Sequence, residues 1–389
     1  MRYNDFKTSG KTAIALNEAE ARIQHAEDVV FWEGSAGAVR ALESLRKLEK
    51  GGHNDVTIKW DGSPASIFGR NEDGKFILTD KSGFGAKGYD GKSKSAKDLE
   101  AMLLNRKTSK GLEVPDSYTA FASNMRQIFD EYQSALPERF RGYFKGDLLY
   151  FNKPALEGDD YVFTPNIVTY RVDKDSDIGN KIGRSTSAVV IHRYMGQDGI
   201  EKGLQGMNIN NIIQGDKVLV VPPVVVQRAP EVSDTDVDTL KTDISKYAVN
   251  IDTLLNTQTL ANLKMVDMPK IFYAYLNSKV DTGLTALGED FMGWLNSNTK
   301  ISDVKKKRMS EHITQNIKGF RAMWQVVSNI MNIKNKIINQ FDSHDADIKA
   351  NIGDTYKGGE GYVLQHPGGD IKLVNRAGFT AANRSIRRD

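Results

Sequence analysis

"TIKWDGSPASIFGR", residues 57–70, decides how this chain is read. Its β-branched and aromatic content describes a strand, and Asp61-Gly62 marks a turn. Lys59 breaks the apolar run two residues before that turn. A lysine there is ordinarily an edge-strand residue beside a hairpin. It equally fits an amine held in a pocket because it does chemistry, and the rest of the chain has to choose.

At 389 residues the chain exceeds the usual size of one domain, so two structural units are expected. Hydrophobic residues make up 39% and charged residues 26%, as in soluble globular proteins. No apolar run is long enough to span a bilayer, and the polar start "MRYNDFKTSGK" is unlike a secretory signal, so no membrane partner is expected. Zero cysteines exclude disulfides and cysteine-based metal sites, and make a cytoplasmic setting the simplest expectation. A net charge of +3 is too small to argue for a nucleic-acid partner; "VKKKR" (304–308) and "RSIRRD" (384–389) are only local basic clusters.

Around this stretch the pattern changes three times. Residues 1–54 read as helical: "AGAVRALESLRKL" (36–48) puts Val39, Leu42, Leu45 and Leu48 on one face, and Gly51-Gly52 ends it. Residues 55–226 read as short strands separated by turns, interrupted by one helix near 115–135. Residues 227–350 read as an inserted helical domain. Its clearest face runs Ile313, Ile317, Phe320, Trp324, Val327, Met331, Ile338 and Phe341, with one polar gap. In 351–389 the β pattern returns as "GGEGYVLQHPGGDIKLVNR" (358–376). The expected class is α+β: a core of antiparallel sheets split by a large all-α insertion.

Four β-context stretches each carry isolated charges: Lys59 in "KWDG", Lys81 in "LTDKSGFGAKG" (78–88), Asp147 in "FKGDLLYF" (144–151), and Glu360 in "EGYV" with Lys372 in "DIKLV". Burying a charge is expensive unless it is paired, so these residues are expected to converge on a shared site or ligand.

"KWDG", "FKGDLLYF", "EGYV" and "IKL", in that order, resemble the motifs of the covalent nucleotidyltransferases: ATP-dependent RNA and DNA ligases and mRNA capping enzymes. The resemblance covers roughly 55–226 and 355–376 and implies a ligase adenylation-domain fold. It implies that Lys59 attacks the α-phosphate of ATP to form lysyl-AMP, which requires a neutral amine. It makes Lys372 a second catalytic lysine offsetting charge on the phosphate. Glu360 and Asp147 become candidate ligands of Mg²⁺ or Mn²⁺, with Asp147 also a ribose contact. Thr57, Ile58, Asp61, Gly62, Lys81, Ser82 and Phe163 complete the implied nucleotide site, Asp61 shaping the turn, Gly62 giving it φ freedom, and Phe163 as an adenine-stacking ring. AMP passing to a nucleic-acid 5′-phosphate, then displaced by a 3′-hydroxyl, would seal a strand, a nucleic acid repair reaction.

The departures point to a branch. Pro64 stands where DNA ligases and capping enzymes carry an arginine, Asp147 replaces the usual glutamate, and Val374 replaces a second lysine. Few residues follow Lys372, so an OB-fold domain is not expected here. Ser63 and "LTDKSG" are similar to RNA ligases, and "RIQHAEDVVFWEGSAGAVRAL" (22–42) is similar to ligase-like proteins of tailed phages. The expectation is an ATP-dependent ligase acting on RNA rather than DNA. The alternatives are a DNA ligase that uses the helical insertion as a clamp, a catalytically decayed nucleotide- or nucleic-acid-binding protein, and guanylyl transfer to RNA ends. His25, His192 and His366 show no metal-ligand spacing and read as structural or surface residues.

Overall fold

A computed structural model describes residues 24–85, 95–204, 207–226, 228–344, 347–353, 356–364 and 370–386. His366 and the "PGGD" turn lie largely outside these residues, as does the end of the C-terminal basic cluster. The fold is mixed α+β with several antiparallel sheets. In chain order the first strands are β1 (Gln24–His25), β2 (Val56–Lys59), β3 (Ala65–Arg70), β4 (Phe76–Asp80) and β5 (Gly142–Tyr150). Next come β6 (Ala155–Glu157), β7 (Asp160–Phe163), β8 (Thr169–Asp173), β9 (Ser187–Met195) and β10 (Glu201–Lys202). The last are β11 (Val218–Val220), β12 (Ile348–Ile352), β13 (Tyr356–Lys357), β14 (Gly361–Leu364) and β15 (Ile371–Leu373).

The chain forms two compact units, and both are discontinuous. One comprises residues 1–59, 224–345 and 360–389; the other comprises 60–223 and 346–359. The expected divisions at 54/55, 226/227 and 350/351 therefore need correction. The 227–350 stretch is helical through His344, but its helices share one core with helix Val29–Glu49 and with β2, β14 and β15. Its apolar faces are completed by residues far away in sequence, which a local pattern does not reveal.

In the first unit the sheet order is β1-β15-β14-β2. β14 runs antiparallel to both neighbours and β1 runs parallel to β15. Val56, Tyr362, Leu364, Ile371 and Leu373 line the face that meets the helices, where Phe31, Phe272, Tyr275, Phe291, Phe320 and Trp324 fill the centre. The helix at 29–49 turns inward on Ala38, Ala41, Leu42, Leu45 and Leu48, whereas Val39, expected on that face, is 40% exposed. Ile317, expected in the long apolar stripe, is likewise exposed, because it opens a new helix after the break at Asn316.

In the second unit, β10-β9-β5-β3-β4 form one sheet, with β11 pairing β9, and β13-β12-β8-β7-β6 form another. Helix Asp116–Ala135, anticipated from its periodicity, packs on the first sheet through Met125, Ile128 and Phe129. A second helix, Ala96–Thr108, was not anticipated. Its mean hydropathy is low and it buries only Leu99 and Leu103, too few positions to mark a face. No helix among the described residues is long and apolar enough to cross a membrane.

Candidate functional site

Strand pleating explains why a lysine sits in "TIKW". Successive side chains alternate between faces, and paired residues on neighbouring strands share a face. Val56 and Ile58 point to the helical core, so Thr57 and Lys59 take the other face. Val363 pairs with both Thr57 and Lys372, and His25 pairs with Lys372. One row across four strands is therefore His25–Lys372–Val363–Thr57, with Lys59 and Gly361 paired in the next row. Ile58, expected at the nucleotide, packs against the core instead, because it is one residue out of phase with Lys59.

Glu360 precedes β14 and its carboxylate accepts a hydrogen bond from Lys59 Nζ; the two side chains are each 19% exposed. Gly361 makes that approach possible. Its φ is +132°, and a Cβ there would run into the Leu373 carbonyl and Val374. Only glycine takes such a backbone without strain. Lys372 is partly buried, and its ammonium makes no hydrogen bond or ion pair among the described residues. Burial first, then the Lys59 charge, lowers its pKa, with Glu360 and Asp28 opposing. Val374, where the family resemblance expects a lysine, is buried and apolar.

Behind this row lies an ion network that was not anticipated. Lys334 donates to both carboxylate oxygens of Glu27 at 2.8 Å, and Arg376 Nη2 donates to Asp28 Oδ2 at 2.6 Å. All four side chains are at most 3% exposed. Burial pushes Asp28 up to about 6, against the pull of Arg376. For Glu27 burial also pushes up, but Lys334 and Arg376 outweigh it and the net shift is downward. Lys334 is lowered by burial despite Glu27. The sequence did carry a trace of this network, since Lys334 is the polar gap between Met331 and Ile338 in the apolar stripe.

The second unit holds the other expected residues. Asp61 is 7% exposed, and its carboxylate accepts from Asn166 Nδ2 (2.9 Å) and the backbone N–H groups of Ile167 (3.0 Å) and Val168 (3.3 Å). Its own N–H donates to the Tyr170 hydroxyl at 2.6 Å. These hydrogen bonds hold the turn after Trp60. Gly62 needs correction: it is not among the positive-φ glycines. What the position requires is space, since a Cβ would lie 2.7 Å from Asp147 Cβ.

Asp147, expected at metal and ribose, accepts a hydrogen bond from His192 Nε2 at 2.9 Å, with 30% of its side chain exposed. His192 was set aside in the sequence; its pairing depends on the β5–β9 register, which local pattern does not show. Phe163 also needs correction. It is 8% exposed, stacked on Trp60 at 6.2 Å and packed against Tyr150 and Tyr170 at 5.4 and 5.6 Å, so its faces serve the core. Lys81 is exposed and opens a five-residue helix rather than extending β4. The side chain of Ser82 lies outside the described residues.

Lys59, Glu360, Lys372 and Thr57 thus gather on one sheet face of the first unit, while Asp61, Gly62, Lys81, Asp147 and Phe163 belong to the second. No group of three or more histidine or carboxylate side chains that could hold a metal occurs among the described residues. Mg²⁺ is commonly bound by one or two carboxylates plus substrate phosphates, and the cations on this face suit the phosphates rather than the metal. Glu360 is the residue that would hold it.

No curated protein matches the chain, and no solved structure does. A protein-family profile matches residues 20–388, and the chain belongs to that family, DUF6267, a family of unknown function.

Proposed function

We propose that this chain is an ATP-dependent polynucleotide ligase of the covalent nucleotidyltransferase kind, acting through lysyl-AMP at Lys59, with RNA the favoured substrate. One observation carries the reading: Lys59 and the partly buried Lys372, whose ammonium has no partner among the described residues, share one sheet face, with Glu360 hydrogen-bonded to Lys59. A nucleophilic amine, a second cation and a carboxylate on one surface are what amine attack on a phosphoanhydride requires.

In the proposed step a neutral Lys59 Nζ attacks the α-phosphorus of ATP. A P–N bond forms, the P–O bond to the β-phosphate breaks, and pyrophosphate leaves with the bonding electrons. The nitrogen then sheds its surplus proton to solvent. Lys372 offsets negative charge on the phosphate, and Glu360 orients the amine until the nucleotide arrives. Mg²⁺, when bound with the nucleotide at Glu360, would supply further neutralisation of phosphate charge. Ser63 and the "LTDKSG" stretch incline the substrate to RNA, and comparing nicked RNA with nicked DNA after pre-adenylylation tests that preference.

Incubation with α-labelled ATP and Mg²⁺ is expected to label the protein through an acid-labile bond, and Lys59→Ala is expected to remove the label. An unlabelled wild type, or equal labelling of Lys59→Ala, overturns the proposal. A second reading, a binding protein that has lost catalysis, draws on the apolar Val374 and the enclosed ring of Phe163. It calls for nucleotide binding without covalent AMP, so the same assay separates the two.

A further inference from the structure

His25 and Lys372 are neighbours in register on β1 and β15, and each has an unmet requirement. The Lys372 ammonium has no anionic partner among the described residues although it is partly buried, a costly arrangement unless an anion visits. His25 Nδ1 is shielded from solvent and has no hydrogen-bond partner among the described residues. Neighbouring strands stand roughly 4.8 Å apart, and the in-register pairing puts the two residues side by side on one sheet face.

The surrounding charges explain why the imidazole is available. Lys372 faces it from β15, Lys59 from β2, Arg376 from helix Arg376–Ile386 and Lys334 from helix Ile317–His344. Glu27 and Asp28, on its own turn, are engaged by Lys334 and Arg376, and Glu360 is engaged by Lys59. Of these four cations, Lys372 is the one without an ion-pair partner among the described residues. Burial first, then these four cations, hold His25 neutral, its pKa well below the ordinary value. An anion beside Lys372 would cancel part of that field and make protonated His25 a second charged donor.

We propose that His25 and Lys372 form a proton-linked subsite for a phosphoanion of the diphosphate class. The proposed nucleotidyl transfer identifies this anion as the pyrophosphate end of the nucleotide; the subsite itself rests on the geometry alone. His25 thereby acts as a binding residue for the leaving group, a role absent from the motifs that first suggested the activity.

Inorganic pyrophosphate is the probe, titrated calorimetrically into the full chain without divalent metal, at pH 6.5, in two buffers of different ionisation enthalpy. Wild type is expected to take up close to one proton more per pyrophosphate than His25→Asn. It is also expected to bind about tenfold more tightly, as for one charge-assisted hydrogen bond. The advantage should shrink as the pH is raised to 8.5. Equal proton uptake and affinity in the two proteins, or no binding to wild type, overturns the subsite. If His25→Asn fails to fold, histidine ¹⁵N shifts of the wild type decide. One of the six histidines changing from the neutral to the charged pattern on adding pyrophosphate supports the subsite, and none doing so overturns it. Labelling by ATP without this coupling removes the subsite and leaves the transfer reading. Coupling without labelling does the reverse.

Discussion

At the scale of single residues, the glycine after Glu360 is as informative as the acid. Gly361 combines a φ of +132° with a backbone approach that no Cβ could tolerate. Gly361→Ala should therefore strain the start of β14 and move Glu360 off Lys59. A loss of about 1–3 kcal/mol is expected in urea unfolding, together with weaker AMP labelling in the protein that remains folded. A variant as stable as wild type would contradict this. Gly62 shows the other use of glycine: its backbone is ordinary, and only closeness to Asp147 forbids a side chain. "EGYV" and "KWDG" both announce a required glycine in the sequence. Which requirement applies is visible only when the partner strand is known.

At the scale of elements, the buried network ties three pieces of chain together. Glu27 and Asp28 sit on the turn between β1 and helix Val29–Glu49, Arg376 opens the helix behind β15, and Lys334 comes from helix Ile317–His344. Removing one partner of a buried ion pair leaves an uncompensated charge, typically costing 3–5 kcal/mol. Lys334→Met should thus destabilise the chain by about 3 kcal/mol in chemical denaturation, and adding Glu27→Gln should restore part of it. If the double variant is less stable than the single one, the pair is not the source of the loss.

The same network sets a pH dependence. Asp28 is raised to about 6 from its ordinary 3.8, so the folded state binds a proton that the unfolded state releases. Its unfavourable contribution grows as the pH rises from about 4 through 6 and is complete above that. Glu27, shifted downward, contributes stability that is lost only as the pH falls through its lowered folded value. Between pH 7 and 5 the Asp28 effect acts alone of the two. Wild type should gain stability relative to Asp28→Asn as the pH falls from 7 to 5, followed by thermal melts at several pH values. Parallel melting curves for the two proteins across that window would refute it.

At the scale of the whole molecule, chain order and compact units do not coincide. The chain passes from one unit to the other between Lys59 and Trp60, and again between Gly359 and Glu360. Residues 227–345 expressed alone lack helix Val29–Glu49 and the β2, β14 and β15 residues that complete their core. That fragment is expected to be helical by circular dichroism but to melt broadly, without one cooperative transition. A sharp, two-state melt would show that the helices form a body of their own, as their sequence pattern alone suggests.

The sequence by itself determined the α+β class, the long helices and the strand identity of "TIKW", "FKGDLLYF", "EGYV" and "IKL", because periodicity and turn chemistry are local. It also singled out Lys59, Glu360 and Lys372, since an isolated charge in an apolar strand is conspicuous without knowledge of its neighbours. The tertiary structure decided which strands lie side by side, and so that Lys59 meets Glu360 across about three hundred residues while His25 lies beside Lys372. It decided that Phe163 is buried, that Ile58 packs against the core, and that the polar gap at Lys334 is a buried ion pair. Those outcomes depend on register and on contacts distant along the chain, and a pattern read along one strand or one helix contains neither.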